Sequence, residues 1–155
     1  MPMKKIIFLV SFLIIIPIQS FSIIYPITPK YISLKKNEVN LRYNANIEAP
    51  IKYIYQKKGL PILVIDEHGN WKKTRDIDGD EGWIHKSMLS NKKTFINIKK
   101  QNLIKYIEKK DLVIAIVNNG VVGKILKCKK NYCLVKIKSY KGWLEKKFLW
   151  GLKVN

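Results

Sequence analysis

Few side chains in this 155-residue sequence could bind a metal ion or act as a nucleophile: it contains two cysteines and two histidines. Zinc ligands usually come in closely spaced pairs, whereas His68 and His85 lie seventeen residues apart. Adding Cys128 and Cys133 would draw one ligand set from two distant parts of the chain. We therefore predict that the protein has no metal site and no cofactor.

The acidic segment Asp76–Glu81 is the other place where a cation could bind. The twelve-residue calcium loop of an EF-hand needs glycine at its sixth position and glutamate at its twelfth. Counted from Asp76, those positions hold Glu81 and Ser87. The spacing does not fit calcium, and a solvated acidic turn is the better interpretation.

Cys128 and Cys133 flank the residues Lys129–Tyr132, which are predicted to form the end of a β-hairpin. Residues directly opposite each other on antiparallel strands have Cβ atoms about 4.5–5.5 Å apart, a separation that suits a disulfide. We predict a disulfide, with a reduced pair, a redox centre or a metal site as alternatives. A cysteine held in a disulfide cannot be the thiolate nucleophile of a peptidase, so we predict no catalytic residues and no enzyme activity.

A repeat of about sixty residues organises most of the sequence. The first copy carries Gly59, Asn70-Trp71, Gly82-Trp83-Ile84 and Met88-Leu89; the second carries Gly120, Asn131-Tyr132, Gly142-Trp143-Leu144 and Phe148-Leu149. The first glycine and the aromatic residue after the asparagine are twelve residues apart in both copies. Self-similarity at a fixed period indicates repeated structural units.

Each copy has the pattern of short β-strands. In the first, the branched apolar run Leu60–Ile65 and the segment Trp71–Arg75 lie on either side of Gly69-Asn70, which predicts a hairpin turn. In the second, the side chains alternate over Leu134–Lys138, and a period of two is typical of a sheet with two distinct faces. No segment after residue 22 has a sustained helical period, so the predicted fold is all-β.

The N-terminus has the pattern of a secretory signal peptide. Lys4 and Lys5 precede the apolar run Ile6–Ile18, and Ser20 and Ser22 are the small residues expected before a cleavage site. The run is shorter than the roughly 20 apolar residues of a membrane-spanning helix, although an uncleaved anchor is the alternative. We predict a signal peptide over 1–22, a linker over 23–32, and two barrels over 33–92 and 93–155.

The net charge of +19 falls to +17 when Lys4 and Lys5 are removed with the signal peptide. Such a charge could attract nucleic acid or anionic lipid. The lysines are spread along the sequence, however, and export would separate the protein from nucleic acid. We expect a largely compositional origin for the charge, no nucleic-acid partner, and membrane contact only through the signal peptide before cleavage.

Taken together, Val39-Asn40-Leu41-Arg42, Gly59, Asn70-Trp71 and Gly82-Trp83-Ile84 resemble the bacterial Src-homology-3-like domains. That resemblance implies two tandem small β-barrels, the second of which opens with Asn102-Leu103-Ile104 and lacks the arginine. The loop after Arg42 holds Asn44 where the family usually has glycine or proline. Because asparagine tolerates the left-handed conformation, Asn44 can take the place of a glycine, and we expect the turn to be kept.

Aromatic residues are the main candidates for ligand binding, because an aromatic-lined groove binds extended peptides in other members of this fold. The predicted ligand-binding residues are Arg42, Tyr43, Tyr55, Trp71 and Trp83. Small barrels also need large aromatics to fill the core, which is the favoured role for Trp83. Arg42 is expected either to pair with a ligand carboxylate or to hold the loop by pairing with Asp76 or Asp78.

The signal-peptide pattern predicts an exported protein, periplasmic or extracellular. The resemblance implies a non-catalytic binding module of the cell envelope that recognises a cell-wall peptide or an envelope protein. A structural or assembly protein of the envelope with no small ligand is the alternative. A third hypothesis is a binder of nucleic acid or anionic lipid through bulk charge, and its affinity would fall steeply with salt.

Overall fold

The computed structural model describes residues 27–110 and 112–152. The predicted signal peptide lies outside these residues. The described ranges form fourteen β-strands with two short 3-10 turns, and none of their helices is long and apolar enough to cross a membrane. The predicted all-β fold of two tandem barrels is confirmed.

The first unit contains β1 (Lys30–Leu34), β2 (Val39–Arg42), β3 (Ile51–Tyr55), β4 (Pro61–His68), β5 (Trp71–Arg75), β6 (Glu81–His85) and β7 (Leu89–Ser90), with a 3-10 turn at Lys86–Met88. The second contains β8 (Thr94–Asn97), β9 (Gln101–Ile104), β10 (Val113–Val117), β11 (Val122–Lys129), β12 (Tyr132–Ile137), β13 (Tyr140–Glu145) and β14 (Leu149–Trp150), with a 3-10 turn at Lys146–Phe148.

Both units have the same sheet topology. The strand order is β3-β2-β6-β5-β4-β1-β7 in the first and β10-β9-β13-β12-β11-β8-β14 in the second. Every pairing is antiparallel, and β2 lies beside β6 through the pair Arg42 and Trp83. The matching contact in the second unit joins Ile104 and Trp143. Residues of the two units can therefore be compared position by position.

Each sheet encloses one hydrophobic cluster. The buried residues of the first are Leu34, Val39, Leu41, Tyr55, Ile62 and Ile84. Those of the second are Phe95, Leu103, Val117, Cys133, Val135, Leu144 and Leu149. Side chains alternate between the faces of a strand, so Ile84 and Leu144 fill the cores and the tryptophans before them lie on the outer face.

The glycine of each Gly-Trp pair lies where two strands approach most closely. A Cβ atom on Gly82 would lie 2.6 Å from Leu41 Cγ and 2.8 Å from the carbonyl oxygen of Arg42. On Gly142 it would lie 2.7 Å from Leu103 Cγ and 2.8 Å from the carbonyl oxygen of Ile104. A side chain at Gly82 would push β2 away, and one at Gly142 would push β9 away, because the atoms in its path include a main-chain carbonyl oxygen.

The hairpin ends of the two units use different cross-links at the same register. In the first unit Glu67 lies opposite Lys72, and the two side chains form an ion pair. In the second, Cys128 lies opposite Cys133, and the predicted disulfide is present, with a Cα–Cα distance of 4.0 Å. Cys133 is fully buried and Cys128 is exposed, so the disulfide fastens the hairpin end to the core.

Both hairpins turn through two residues. The predicted turn at Gly69-Asn70 is confirmed, and Lys130-Asn131 forms its counterpart, shorter than the loop that the sequence suggested because the strands reach Lys129 and Tyr132. Gly69 has φ +55° and Lys130 has φ 52°. The primed turns that suit a two-residue hairpin require a positive φ at this position, and in the second unit a lysine adopts it.

A short linker and side-chain contacts join the two units. Residues 91–93 separate the last strand of the first from the first strand of the second. The rings of Tyr31 and Trp150 pack edge to face with centroids 4.9 Å apart. Lys57 Nζ donates a hydrogen bond of 2.9 Å to the carbonyl oxygen of Gly120. These contacts set the shape of the cleft between the units.

Reducing the disulfide should lower the free energy of unfolding of the second unit by about 2 kcal/mol, the loop-entropy value for so small a ring. Chemical unfolding with and without reductant measures this. The double substitution Cys128→Ala, Cys133→Ala is the control, because reductant should leave its midpoint unchanged. An equal midpoint for the oxidised and reduced parent would contradict a stabilising role.

Candidate functional site

A groove of about 700 Å³ lies on the outer surface of the first unit. It is lined by Glu38, Asn40, Arg42, Ala45, Asn46, Ile47, Asn70, Trp71, His85, Ser87 and Met88. One side is β2 with the loop that follows it, and the other is the hairpin turn with the end of β6 and the 3-10 turn. Its volume is within the range of small-ligand sites.

Arg42 ends β2 and fixes one side of the groove. Its Nη1 donates a hydrogen bond to the carbonyl oxygen of Ala49, which ties the loop 43–50 to the strand. It bonds neither Asp76 nor Asp78, the two partners that the sequence suggested, and forms no ion pair within the described residues. A guanidinium has five N–H donors, so most of them stay available to a ligand.

The loop after Arg42 closes differently from the sequence-based expectation. Among the described residues other than glycine, only Lys130 and Lys138 have a positive φ, so Asn44 does not use the left-handed conformation that the sequence allowed it. Asn46 makes the turn instead. Its Oδ1 accepts from the main-chain N–H of Glu48, and its carbonyl oxygen accepts from that of Ala49. An asparagine side chain that bonds two residues ahead replaces a left-handed residue here.

Trp71 forms the opposite side of the groove. It lies directly across from His85, and the two rings pack edge to face with centroids 5.2 Å apart. His85 Nδ1 lies 2.8 Å from Ser87 Oγ. The serine hydroxyl and the indole therefore hold the imidazole in one orientation. A flat aromatic surface with a fixed polar edge can stack on a ligand and accept or donate a hydrogen bond.

Several groove residues were not predicted from the sequence. These are Glu38, the three asparagines Asn40, Asn46 and Asn70, and His85 with Ser87. Asn40 could have been found, because it lies two residues before Arg42 and residues at that spacing share a face of a strand. Asn46 lies in an irregular loop, for which no sequence period gives the direction of a side chain.

Tyr55, a predicted ligand residue, lies in the core of the first unit. It is 8% exposed, and its hydroxyl donates to Asp76 Oδ2 over 3.0 Å. Tyr53 donates to the same oxygen over 2.7 Å. Asp76 Oδ1 accepts from the main-chain N–H groups of Asp78 and Asp80. The acidic segment is thus a turn organised by the buried Asp76, and the Tyr55 hydroxyl stabilises that aspartate through its hydrogen bond.

Burial raises the pKa of the Tyr55 phenol far above its ordinary value of 10.0, and the hydrogen-bonded Tyr53 hydroxyl and the Asp76 charge act in the same direction. Burial also raises the pKa of Tyr53. Both phenols stay protonated in the folded protein at a pH where the unfolded chain loses these protons. They therefore stabilise the fold below about pH 10, and this contribution is lost as pH rises above that value.

The substitution Tyr55→Phe should cost about 1–3 kcal/mol at neutral pH, because it removes a hydrogen bond to a carboxylate. It should also reduce the loss of stability between about pH 9 and 11. Unfolding in denaturant across that range measures both effects. The exposed Tyr43→Phe is the matched control and should follow the parent. Identical pH dependence for the parent and Tyr55→Phe would show that this phenol is not linked to folding.

Tyr43 and Trp83 lie beside the groove without lining it. Tyr43 is 59% exposed in the loop after β2. Trp83 is half-buried on the outer face of the sheet, directly between Arg42 on β2 and Lys73 on β5. The core-filling role favoured for Trp83 from the sequence is therefore wrong, because Ile84 takes the core position. Of the five predicted ligand residues, the fold brings Arg42 and Trp71 together in the groove.

The second unit has other residues at the matching positions. Ile104 replaces Arg42 and is buried, Tyr132 replaces Trp71, and Glu145 replaces His85. Its buried polar contacts also differ. Gln101 Nε2 donates to Asn97 Oδ1 over 2.6 Å, and Asn97 Nδ2 donates to carbonyl oxygens of the following loops. The two units therefore share a backbone topology, but the second unit lacks the side chains that line the groove of the first.

The described residues contain no group of three or more histidine, cysteine or acidic side chains placed to hold a metal ion. His68 is exposed at a hairpin end, and His85 lies against Trp71. Both cysteines are in the disulfide.

Two tandem barrels with one topology, the first carrying a groove between the loop after β2 and its hairpin, define this chain as a tandem Src-homology-3-like protein. The bacterial SH3 domain family matches residues 35–91 and 101–151. The chain belongs to that family, with two copies of the domain, as the sequence motifs indicated. None of the curated proteins matches it.

Two solved structures similar to this chain are those of NlpC1 and NlpC2 from Trichomonas vaginalis. NlpC1 is 17% identical and the match covers 84% of this chain and 48% of that one, with a TM-score of 0.37. NlpC2 is 16% identical, with 79% and 48% covered and a TM-score of 0.37. The chain spans about half the length of these proteins.

Proposed function

We propose that this chain is an exported, non-catalytic binding protein of the cell envelope, and that the groove of its first unit holds a short cell-wall peptide. Family membership supports a binding role. The signal-peptide pattern and the disulfide support export, because disulfides persist mainly in oxidising compartments outside the cytoplasm. The observation that carries the proposal is that Arg42 and Trp71 face one groove.

The chemistry of the groove fits a peptide with a free carboxylate. The unused donors of Arg42 can pair with that carboxylate in a charge-assisted, bidentate contact. The amides of Asn40, Asn46 and Asn70 can donate to peptide carbonyls and accept from peptide N–H groups. Trp71 offers an apolar face to a side chain, and Glu38 can pair with an amino group. A small, mixed-charge peptide offers partners for each of these groups.

The first unit is the better candidate for this role because the second has lost the key groups. Ile104 is buried at the position of Arg42, so it offers neither a charge nor a donor. The Arg42–Ala49 bond that shapes the loop in the first unit has no equivalent there, since isoleucine has no donor to contribute.

The test is sedimentation of the purified protein with isolated peptidoglycan sacculi at low and high salt. We expect binding that resists salt, because short-range groove contacts are screened less than exposed charges. Trp71→Ala should weaken binding at least about tenfold, as expected for the loss of a central aromatic contact. Arg42→Lys should also weaken it, since lysine cannot reproduce the bidentate geometry.

Tyr43→Ala is the matched control, because it removes an exposed aromatic side chain next to Arg42 that does not line the groove. It should bind sacculi like the parent. The proposal fails if the parent stays in the supernatant at high salt, or if Tyr43→Ala and Trp71→Ala lose binding equally.

A further inference from the structure

A second cleft, of about 660 Å³, lies between the two units, and lysines line it. Seven lysines border it: Lys35, Lys36 and Lys58 from the first unit, Lys92 from the linker, and Lys124, Lys136 and Lys138 from the second. All seven are exposed, and none of the residues lining the cleft is acidic. The other lining residues are small, polar or apolar: Ser33, Leu34, Gly59, Ser90, Thr94, Val122 and Gly123.

The seven cleft lysines have no acidic partner in the part of the chain that the structure describes. Thr94 also lines the cleft, and its buried Oγ1 lacks a hydrogen-bond partner among the described residues. The cleft is therefore bordered by unpaired positive charge.

Three lysines of the second unit form a row across adjacent strands. Lys136 lies directly opposite Lys124 on β11 and directly opposite Lys141 on β13. Like charges in directly opposite positions destabilise a sheet. The same three positions of the first unit hold Leu63, Arg75 and Glu81, where Arg75 pairs with Glu81. The same backbone positions therefore carry opposite charges that pair in the first unit, and three positive charges that repel one another in the second.

The excess of positive charge is also larger in the second half of the chain than in the first. Residues 27–91 contain eleven Lys and Arg against eight Asp and Glu, whereas residues 92–152 contain sixteen lysines against three acidic residues. A general compositional bias would raise both halves alike. The fold brings seven of the lysines that are spread along the sequence together at the cleft between the units.

We propose that this cleft binds a flexible, single-stranded polymer that carries phosphate groups. A concave site lined by one sign of charge concentrates the field and attracts ions of the opposite sign. Lysine is a common ligand of phosphate groups, which it binds as a point charge, and lysines supply all the positive charge that lines the cleft. A single extended chain can enter a cleft of about 660 Å³, whereas a flat membrane or a wide duplex would meet only its rim.

The test is a titration of the purified protein with inorganic polyphosphate at several salt concentrations. The variant Lys124→Gln, Lys136→Gln, Lys138→Gln removes three cleft charges. We expect its affinity to fall at least about tenfold at equal salt, and the slope of log K against log salt to decrease by about 2, at about 0.7 per contact for a single strand. Its melting temperature should not fall, because the repulsive row is relieved.

The matched control is Lys109→Gln, Lys129→Gln, Lys130→Gln, which removes three exposed charges of the same unit outside the cleft. It should bind polyphosphate within about twofold of the parent. Because the first unit also borders the cleft, Lys35→Gln with Lys58→Gln should weaken binding as well, and Lys30→Gln with Lys86→Gln should not.

Three results would overturn the proposal. One is a parent protein that does not bind polyphosphate. Another is an equal loss of affinity in the cleft and control variants, which would assign the binding to bulk charge. The last is binding of duplex DNA or of anionic vesicles as tight as that of polyphosphate and unaffected by the cleft substitutions, which would assign the surface to another class of partner.

Discussion

Each barrel depends on the close approach of its Gly-Trp strand to an earlier strand: β6 to β2 in the first unit and β13 to β9 in the second. Gly82 and Gly142 leave room for the main chain of Arg42 and Ile104, the residues that pair with the tryptophans of the next position. That pairing joins an early strand to a late one and so closes the sheet around its core. In the first unit this pairing also fixes the position of Arg42 at the end of β2, where the groove begins.

On this shared frame, the two units have diverged at matching positions. Buried polar groups gather around Asp76 in the first and around Asn97 in the second. An ion pair in one hairpin corresponds to a disulfide in the other. In the first unit five of the eleven basic residues form ion pairs, whereas among the described residues of the second unit Lys147 alone does so. The first unit also keeps an open groove. These differences support our two proposals: that the groove of the first unit binds a peptide, and that the lysine-lined cleft between the units binds a polymer of phosphate groups.

Local patterns in the sequence were sufficient to predict the strands, the hairpin turn at Gly69-Asn70 and the disulfide, because each depends on neighbouring residues or on a short loop. The groove was predicted in part. Arg42 and Trp71 were identified through the motif, but Tyr55 lies in the core because its hydroxyl has a buried partner, Asp76, twenty-one residues away. No local pattern indicates such a pairing.

The lysine cleft could not be predicted from the sequence. Its residues come from separate loops and strands of both units, and they come together only because the linker is three residues long and Tyr31 packs on Trp150. Charge that looks evenly distributed along a chain can therefore be concentrated in space. The same holds for the row of Lys124, Lys136 and Lys141, which depends on register across three strands.

The most direct measurement of the central claim, that the first unit holds a wall peptide in its groove, is an NMR titration of the ¹⁵N-labelled protein with solubilised peptidoglycan fragments at high salt. The account predicts that the largest shifts fall on the Trp71 indole N–H, the Asn70 amide and the Arg42 side chain, while signals of Tyr132 and Glu145 stay in place. Shifts centred on the second unit, or no shifts in either, would contradict it.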